Sequence, residues 1–398
     1  MERSLDRILT THVGSLPRPD ELIAAYQANA QAAELEGRLA AAVGEVVRRQ
    51  VEVGLDVVND GEYGKAMRAA VDYGAWWSYV YERLAGFEVR EGGVYGQSFG
   101  PTSSRDRADF REFYATGQAM AGGGGSGSQQ ATAGNRLAQM VCTGPVTYTG
   151  REMIARDIRD LKQALVGLNP REVFMTAVSP ATLQILPNTH YASQEDYTWA
   201  LADAIREEYR AIIEAGFVLQ IDDPALVDLY DWWFSQTDDM SGYRRWAAFQ
   251  VEAVNHALEG IPEDRVRFHI CWGSWHGPHS TDVPLSEVVD LLVQVKAQAY
   301  SVEAGNVRHE HEWKVWRETR LPEGKLLIPG VVSHATNVLE HPELVADRIL
   351  RYAECVGRER VIASTDCGLG GRIHPQLAWA KLRALRQGAD LASRALWS

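Results

Sequence analysis

Short apolar runs recur along the chain and alternate with longer stretches whose apolar residues repeat at helical spacing. We interpret the short runs as strands, at Thr10–Ser15, Leu55–Asp60, Val173–Val178, Phe217–Asp222, Val266–Cys271, Ala299–Glu303, Leu327–Val332 and Val361–Asp366. Helical periodicity fills many of the gaps, at Asp20–Val53, Asp196–Ala215, Tyr243–Leu258, Leu285–Ala297, Glu340–Cys355 and Pro375–Ala395. Eight βα units in 398 residues predict an α/β fold, the (β/α)8 TIM barrel.

A ninth strand-like run, Met140–Thr147, has no place among the eight. We assign it to an insertion after the second βα unit, at about residues 90–170 of a single barrel domain that spans residues 1–398. The insertion contains the glycine-rich segment Ala121–Ser128, whose composition is typical of a flexible chain. A long insertion on one βα loop either covers the active site as a lid or forms a surface loop, and the sequence leaves both open.

Ionisable or glycine-containing groups follow one predicted strand after another. They are His12–Ser15, Asp60–Glu62, Asp222–Pro224, His269–Cys271, Glu303–Gly305, Ser333–His334 and Asp366–Cys367. The carboxyl ends of barrel strands form one rim, where the active sites of such barrels are built. We therefore expect these groups to be neighbours although they are far apart in the chain.

Four of these strand-end residues offer one imidazole, two thiols and one carboxylate, which is a complete ligand set for tetrahedral zinc. They are His269, Cys271, Glu303 and Cys367. Residues two apart in a strand point to the same face, so His269 and Cys271 can reach one ion. Zinc held by two thiolates suits work on sulfur, because it keeps a substrate thiol deprotonated at neutral pH. The alternative is a chance collection of strand-end polar residues, although the short CxxC knuckles of structural zinc sites are absent.

Further polar residues at the same rim have two interpretations each. Glu62 and Asp222 either hold a substrate ammonium group or cap the helices that follow them. The capping interpretation fits the neighbouring Asp60 and Asp223 better. His334 is either a general acid for a leaving group or a structural histidine. The segment His309–Glu312 surrounds the metal site or forms a solvated loop, and the roles of His276, His279, His309 and His311 stay open.

The composition of the chain indicates which partners and which cellular location to expect. The chain has 40 Lys and Arg against 53 Asp and Glu, a net charge of −13 with no basic tract, so nucleic acid is not an expected partner. No apolar stretch approaches the roughly 20 residues of a membrane span. Met1–Leu5 lacks the apolar core of a signal peptide, which predicts a cytoplasmic location with reduced thiols. Four cysteines then indicate metal or catalytic use, with Cys142 and Cys355 expected in the core.

The order and spacing of these motifs resemble the catalytic domain of cobalamin-independent methionine synthase, within the barrel superfamily that also contains uroporphyrinogen decarboxylase. The resemblance rests on Thr11–Pro17, Asp60–Glu62, Gln220–Ala225, His269–Cys271, Val302–Glu303, His334 before Asn337, and Asp366–Leu369. It covers nearly the whole chain.

The resemblance implies a zinc ion that activates a thiol substrate and has four protein ligands, which are His269, Cys271, Glu303 and Cys367. It implies that the backbone of Gly14 and Ser15 offers donors to a substrate carboxylate. Glu62 and Asp222 would bind the amino group of that substrate. His334 matches the residue that protonates the leaving nitrogen of a folate donor.

The chain also departs from the family. The full-length synthase has a second, N-terminal barrel. It also has a tryptophan that stacks on the pterin after a Gly-Pro turn. The two segments here that align with that turn, Thr143–Thr147 and Val178–Thr182, lead to Arg151 or Leu186 instead. The alkyl donor is therefore left open, and shorter members of this architecture resemble epoxyalkane:coenzyme M transferases.

These observations predict a zinc-dependent S-methyltransferase that moves a methyl or other alkyl group to a substrate thiol, most simply homocysteine. Its partners are a small thiol and an alkyl donor, and a homo-oligomer is compatible with the sequence. One alternative is addition of the coenzyme M thiol to an epoxide, and another is a non-catalytic zinc- or thiol-binding protein. Glu62 and Asp222 favour homocysteine, because they suit an ammonium group and repel a sulfonate.

Overall fold

The computed structural model describes residues 1–28, 32–66, 79, 82–90, 104–116, 139–274 and 276–398. The strands among them are β1 Leu9–Thr10, β2 Val57–Val58, β3 Leu84–Arg90, β4 Gln139–Tyr148, β5 Glu172–Val178, β6 Val218–Asp222, β7 Val266–His269, β8 Ala299–Glu303, β9 Leu326–Val332 and β10 Ile362–Thr365. Eight of them form a parallel sheet in the order β1-β10-β9-β8-β7-β6-β5-β2, a nearly closed barrel. The predicted (β/α)8 architecture is confirmed.

Helices surround the barrel. The α-helices of the described residues are Asp20–Gln27, Ala32–Val53, Arg105–Asp109, Arg111–Ala115, Arg151–Ala164, Pro180–Leu183, Gln194–Glu214, Ala225–Leu229, Met240–Ala257, Val289–Leu292, Val315–Glu318, Pro342–Val356 and Pro375–Leu396. A π-helix covers Tyr230–Phe234, and 3-10 turns cover Ser235–Thr237, Glu263–Arg265, Leu285–Glu287, Glu310–Lys314 and Arg358–Arg360. Among the described helices, none has the length and apolar character needed to cross a membrane.

Two predicted helices differ from the structure. The stretch Asp20–Val53 divides into two helices on either side of residues 29–31, which lie outside the described residues. The stretch Leu285–Ala297 was predicted as one helix but forms a 3-10 turn followed by the short helix Val289–Leu292. Val288 separates the 3-10 turn from the helix, because its φ of −132° and ψ of −13° lie outside the helical region. The periodic apolar residues of this stretch therefore do not form one continuous helix.

The ninth strand-like run, Met140–Thr147, forms part of β4 and lies outside the barrel, as predicted. β4 pairs antiparallel with β3 in a separate two-stranded sheet. The helix Arg151–Ala164, which we had placed inside the insertion, packs instead against the helices Ala32–Val53 and Gln194–Glu214. It therefore takes the place of the helix between β2 and β5, and the extra segment precedes it. Ala121–Ser128 lies outside the described residues, so a lid stays a prediction.

Buried charges anchor the start of this extra segment to the barrel. Arg83, just before β3, pairs with Asp157 at 2.6 Å and with Glu208 at 3.1 Å, and all three side chains are buried. Glu208 also accepts hydrogen bonds from the hydroxyls of Tyr79 and Tyr148. Because a buried charge is costly without partners, this network fixes the β3–β4 pair against the helix ring.

The narrow opening of the barrel lies between β1 and β2, and Asp56 bridges it. The backbone N–H of Thr10 donates to the Asp56 carboxylate at 2.8 Å, and the N–H of Asp56 donates to the carbonyl of Thr10 at 3.0 Å. Arg7 pairs with the same carboxylate. A side chain thus replaces part of the missing strand ladder.

Polar side chains also cross the barrel interior to hold the chain after β1. Arg267 on β7 is buried and donates to the carbonyl of His12 at 2.8 Å and to Thr11 Oγ1 at 3.1 Å. Burial lowers the pKa of Arg267 to about 10, which still leaves it charged at neutral pH. Gln220 donates to the carbonyl of Val13. These bonds fix residues 11–13 and deliver Gly14 to the rim.

Gly330 on β9 lets two strands approach closely. A Cβ added there would overlap the Cα of Asp366, which follows β10. We expect Gly330→Ala to separate these strands and to lower the free energy of unfolding by about 1–3 kcal/mol, measured by urea denaturation. Gly44→Ala is the control, because nothing lies within 4 Å of its added Cβ in the helix Ala32–Val53. Gly44→Ala should raise the free energy of unfolding by about 0.5–1 kcal/mol. An equal change in the free energy of unfolding of both variants would contradict the packing argument.

Candidate metal centre

Three of the predicted ligands converge at the rim. The ligand atoms of His269, Cys271 and Cys367 all lie within 4.8 Å of one another. His269 ends β7, Cys271 follows it by two residues, and Cys367 comes just after β10. The sulfurs of Cys271 and Cys367 are 3.9 Å apart. Residues nearly one hundred positions apart in sequence thus form one sulfur- and nitrogen-rich group.

The fourth predicted ligand, Glu303, stands beside this group rather than in it. Glu303 instead belongs to a second cluster with His334 and Asp366, in which the candidate ligand atoms also lie within 4.8 Å of one another. One oxygen of Glu303 accepts the backbone N–H of Trp272 at 3.0 Å, and the other accepts the amide of Asn306. The hydrogen bonds of Trp272 and Asn306 therefore fix the orientation of this carboxylate.

The contact between the two thiols shifts their pKa values in opposite directions. The contact with Cys367, burial, and the charges of Cys367 and Glu303 raise the pKa of Cys271 well above its usual value. The same contact lowers the pKa of Cys367 well below its usual value, and the nearby His269 and His334 act in the same direction. The pair thus favours one thiolate even before a cation is considered.

The donor atoms fit a zinc ion. His269 Nδ1 forms a hydrogen bond with Ser301 Oγ at 3.0 Å, which orients the ring. His269 Nε2 is buried, and it has no hydrogen-bond partner among the described residues. A buried polar atom without a partner is costly, so a ligand at Nε2 would remove that cost. One imidazole nitrogen with two thiols is a donor set that zinc prefers, and Ser301 supplies the outer hydrogen bond usual for metal-binding histidines.

Asp366 connects the ends of neighbouring strands next to this group. Its Oδ1 accepts the backbone N–H groups of Ala304 and Gly305, both at 2.7 Å, and its own N–H donates to the carbonyl of Val332 at 2.9 Å. Burial raises the pKa of Asp366 to about 7, although the two backbone donors act in the opposite direction. The sequence placed Asp366 at a strand end but gave no sign of this bridging role.

A buried imidazolium, His309, lies next to the candidate metal centre, and the sequence assigns it no role. His309 stacks on the ring of Trp272 with ring centroids 3.9 Å apart. Its Nδ1 is 2.9 Å from Glu312 and its Nε2 is 3.0 Å from Asp282. Burial alone would lower the pKa of His309, but the hydrogen bonds to Asp282 and Glu312 and the charge of Glu303 raise it to about 10.

The other histidines near the site differ in environment. His334 is buried, and its Nδ1 has no hydrogen-bond partner among the residues that the structure describes. Burial lowers the pKa of His334 to about 4, although the charge of Cys367 opposes this shift. His279 bonds Asp282 at 3.1 Å, His276 is half-buried, and His311 is exposed.

The predicted carboxylate-binding segment, Gly14 and Ser15, lies against the loop that follows the candidate ligand Cys367. The carbonyl of Ser15 accepts the N–H groups of Leu369 and Gly370, both at 2.9 Å, in the loop after Cys367. The N–H of Leu16 donates to the carbonyl of Gly61 at 3.1 Å. A Cβ on Gly14 would overlap the carboxylate of Glu62. Gly14 and Ser15 therefore lie between the Glu62 turn and the Cys367 loop.

Glu62 itself is held in a strained turn. Its φ is 61°, which is uncommon for a residue with a side chain. Asp60 accepts the backbone N–H of Glu62 at 2.9 Å, so Asp60 stabilises this turn. Asp223 accepts the N–H of Leu226 at 3.1 Å, which is the capping role expected for it.

A lysine that the sequence analysis overlooked shares the site with Glu62. Lys65 Nζ lies 3.4 Å from Glu62 Oε1, and Thr176 Oγ1 bonds both groups. Asp222 accepts the amide of Gln220 at 2.5 Å. Burial and the charge of Glu62 raise the pKa of Asp222 well above its usual value, against the effect of Lys65.

Comparison with known proteins places these residues in a wider group. Residues 181–391 match the family model described as the catalytic domain of cobalamin-independent synthase. The 2-hydroxypropyl-CoM lyase of Xanthobacter autotrophicus is 26% identical, over 96% of this chain and 94% of that protein. A methionine synthase of Thermococcus kodakarensis is also 26% identical, over 52% of this chain and 54% of that protein. The chain thus matches only about half the length of that synthase.

Solved structures share the fold. A B12-independent methionine synthase from Shewanella, in complex with selenomethionine, has a TM-score of 0.68 and 20% identity, over 98% of this chain and 99% of that one. The structure of a putative vitamin-B12 independent methionine synthase from Listeria monocytogenes has a TM-score of 0.61 and 19% identity, over 97% of this chain and 99% of that one. At these identities the likeness establishes the barrel and not the reaction.

The environment of His309 gives a pH-dependent prediction. Its imidazolium stabilises the fold fully below the ordinary pKa of 6.5, and this contribution is lost as pH rises through about 10. We expect His309→Gln to lower the free energy of unfolding at neutral pH, with a difference from the unaltered protein that shrinks toward about pH 10. Urea denaturation at several pH values measures this. The exposed His311→Gln is the control, and a deficit that does not vary with pH would refute the charge assignment.

Proposed function

The chain belongs to the family of the cobalamin-independent synthase catalytic domain, and from this we propose that it is a zinc-dependent transferase that moves an alkyl group to the sulfur of a small thiol. The observation that carries the proposal is the convergence of His269, Cys271 and Cys367 within 4.8 Å at the barrel rim. Methionine synthases and a coenzyme M lyase among the relatives support a reaction at a thiol.

We assign zinc to His269, Cys271 and Cys367, with the carboxylate of Glu303 next to them as the fourth group. When bound, zinc would lower the pKa of a substrate thiol and keep it as a nucleophilic thiolate. Trp272 and Asn306 hold the Glu303 carboxylate in place. His309 behind Trp272 supplies positive charge toward Glu303.

We assign proton transfer to His334. Its ring is buried beside Glu303, and its Nδ1 has no hydrogen-bond partner in the described part of the chain. Reaction of a thiolate with an alkyl donor leaves negative charge on a departing nitrogen or on a new alkoxide. Burial keeps His334 neutral at pH 7, with a pKa of about 4. Negative charge that develops beside the ring would raise this pKa, so His334 would take up a proton as the charge forms and pass it to the charged atom, which is the usual task of a positioned histidine.

Two donor and acceptor pairs fit this chemistry. Methyl transfer to homocysteine is supported by the methionine synthase relatives and by the acids Glu62 and Asp222, which suit its amino group. Opening of an epoxide by coenzyme M is supported by the similarity to 2-hydroxypropyl-CoM lyase along nearly the full length of both chains. Both pairs use the same metal centre and the same proton transfer.

Metal content tests the assigned ligands. We expect about one zinc per chain, and we expect Cys271→Ala or Cys367→Ala to lose it, because each removes one of the sulfur ligands. Elemental analysis of the purified proteins measures the ratio. Cys355→Ala is the matched control, since Cys355 is half-buried on the helix Pro342–Val356. Full zinc retention in both site variants would exclude this metal centre.

Product formation tests catalysis. Zinc-loaded protein is incubated with homocysteine and a methylated folate, or with coenzyme M and a short epoxide, and alkylated thiol is measured by mass spectrometry. We expect one pair to give product, and His334→Gln to slow it by about 10²–10⁴-fold while keeping the zinc. The exposed His311→Gln should match the unaltered protein. Intact zinc with no product from either pair would favour a non-catalytic thiol-binding protein.

A further inference from the structure

The proton carrier of the proposed function, His334, lies at the start of a loop without regular secondary structure. β9 ends at Val332, and the next helix begins only at Pro342. His334 is 3% exposed, whereas residues 337–339 are exposed to solvent. Because its Nδ1 has no hydrogen-bond partner among the described residues, that nitrogen does not orient the ring. The position of the ring therefore depends on how the backbone next to it is held.

Hydrogen bonds fix the backbone immediately before His334. The carbonyl of Val332 accepts the backbone N–H of Asp366 at 2.9 Å. The N–H of Ser333 donates to Glu340 Oε1 at 2.8 Å. β9 has ended at this point, so a carboxylate takes the place of a neighbouring strand as the acceptor. Glu340 thereby sets the direction in which the chain enters His334.

A buried lysine holds that carboxylate in place. Lys381 on the helix Pro375–Leu396 is 0% exposed, and Glu340 is 6% exposed. Lys381 Nζ donates to Glu340 Oε1 at 3.0 Å, to Glu340 Oε2 at 2.8 Å and to the carbonyl of Val338 at 2.7 Å. These three acceptors match the three donors of an ammonium group. The two ends of the loop are thus connected through one ion pair.

A contribution to stability alone does not explain this pair. Replacement of a buried ion pair by apolar residues of similar size is often neutral or stabilising, because both charges lose their water on folding. An apolar pair would, however, leave the N–H of Ser333 without its acceptor. Glu340 therefore supplies a hydrogen bond to the backbone, and Lys381 supplies the charge that keeps Glu340 buried.

We propose that Lys381 and Glu340 are positioning residues for His334, which act through the backbone of Ser333. They keep the His334 ring beside Glu303 and Asp366, whose candidate ligand atoms lie within 4.8 Å of that of the ring. The proposal rests on the proposed function, in which His334 transfers a proton, and it names the residues on which the place of His334 depends.

Two double variants separate the hydrogen bond to Ser333 from the charges. Both carry Lys381→Met, and the second change is either Glu340→Gln, which keeps an acceptor oxygen, or Glu340→Leu, which removes it. We expect the Glu340→Leu double variant to lower kcat by about 10–100-fold, because a small displacement of a reacting group has effects of this size. Its zinc content and its KM for the thiol should not change. The Glu340→Gln double variant should keep most of the kcat.

Amide hydrogen exchange gives a readout that does not depend on catalysis. The peptide that covers residues 333–340 is followed by mass spectrometry in each zinc-loaded protein. We expect faster exchange of this peptide in the Glu340→Leu double variant than in the Glu340→Gln double variant, because only the first has lost the acceptor for Ser333.

An ion pair at the other end of β9 provides the matched control. Lys325, just before β9, donates to Glu263 and to the carbonyl of Ala297 at 2.7 Å. We expect Lys325→Met to leave kcat and the exchange of residues 333–340 unchanged, whatever its effect on stability. Assays are carried out well below the urea midpoint of each variant, so that only folded protein is compared.

The outcomes distinguish this proposal from the proposed function. Equal kcat and equal exchange in the two double variants would overturn the positioning role while product formation by the unaltered chain keeps the proposed function. Zinc loss from the Glu340→Leu double variant, or an equal fall of kcat in Lys325→Met, would also overturn it. Absence of product from the unaltered chain would overturn the proposed function and the role of His334 with it, even if the exchange rates show that Glu340 fixes the loop.

Discussion

The hydrogen bonds of the buried Asp366 carboxylate hold together the part of the rim on which the site depends. One oxygen binds the N–H groups of two successive residues after β8, while the backbone of Asp366 itself binds the end of β9. Glu303 immediately precedes those two residues, and Cys367 immediately follows Asp366. The same bonds therefore set the distance between the oxygen and sulfur groups of the site. Gly330 makes this possible, because any side chain there would occupy the space of Asp366.

Charge around the candidate metal centre is balanced by buried side chains next to the candidate ligands. His309 lies between Asp282 and Glu312 and stacks on Trp272, whose backbone N–H donates to Glu303. Arg267 fills the barrel interior below the rim and stays charged. Because these cations are fixed by hydrogen bonds, the acids near the site do not all need a ligand to neutralise them. Among the described residues, His269 Nε2 has no hydrogen-bond partner, and together with the two thiols it offers atoms suited to zinc.

The sequence predicted the barrel, and it predicted that His269, Cys271 and Cys367 meet at its rim, because both depend on local patterns. Strand periodicity located the barrel strands, and polar residues at strand ends located the rim, although β1 is Leu9–Thr10 and shares only Thr10 with the predicted run Thr10–Ser15. Features that depend on contacts between distant segments were not predictable. His309 has an ordinary sequence context, and only the fold brings Asp282 to it. Lys65 follows Glu62 by three residues in a turn whose strained φ gives no periodic signal, so its direction could not be read. The stretch Leu285–Ala297 had helical spacing, but a single residue outside the helical region interrupts it.

The Glu62–Lys65 turn follows β2, whereas the candidate zinc ligands come from the ends of β7, β8 and β10. Under the proposed function, the acids that would bind the head group of the thiol and the ligands that would hold zinc are therefore carried by different strands of one scaffold. On that proposal, substitutions in the turn after β2 would change which thiol is accepted without altering the zinc ligands. Substrate range and reaction type would then evolve independently, which would allow relatives with similar metal centres to serve unrelated pathways.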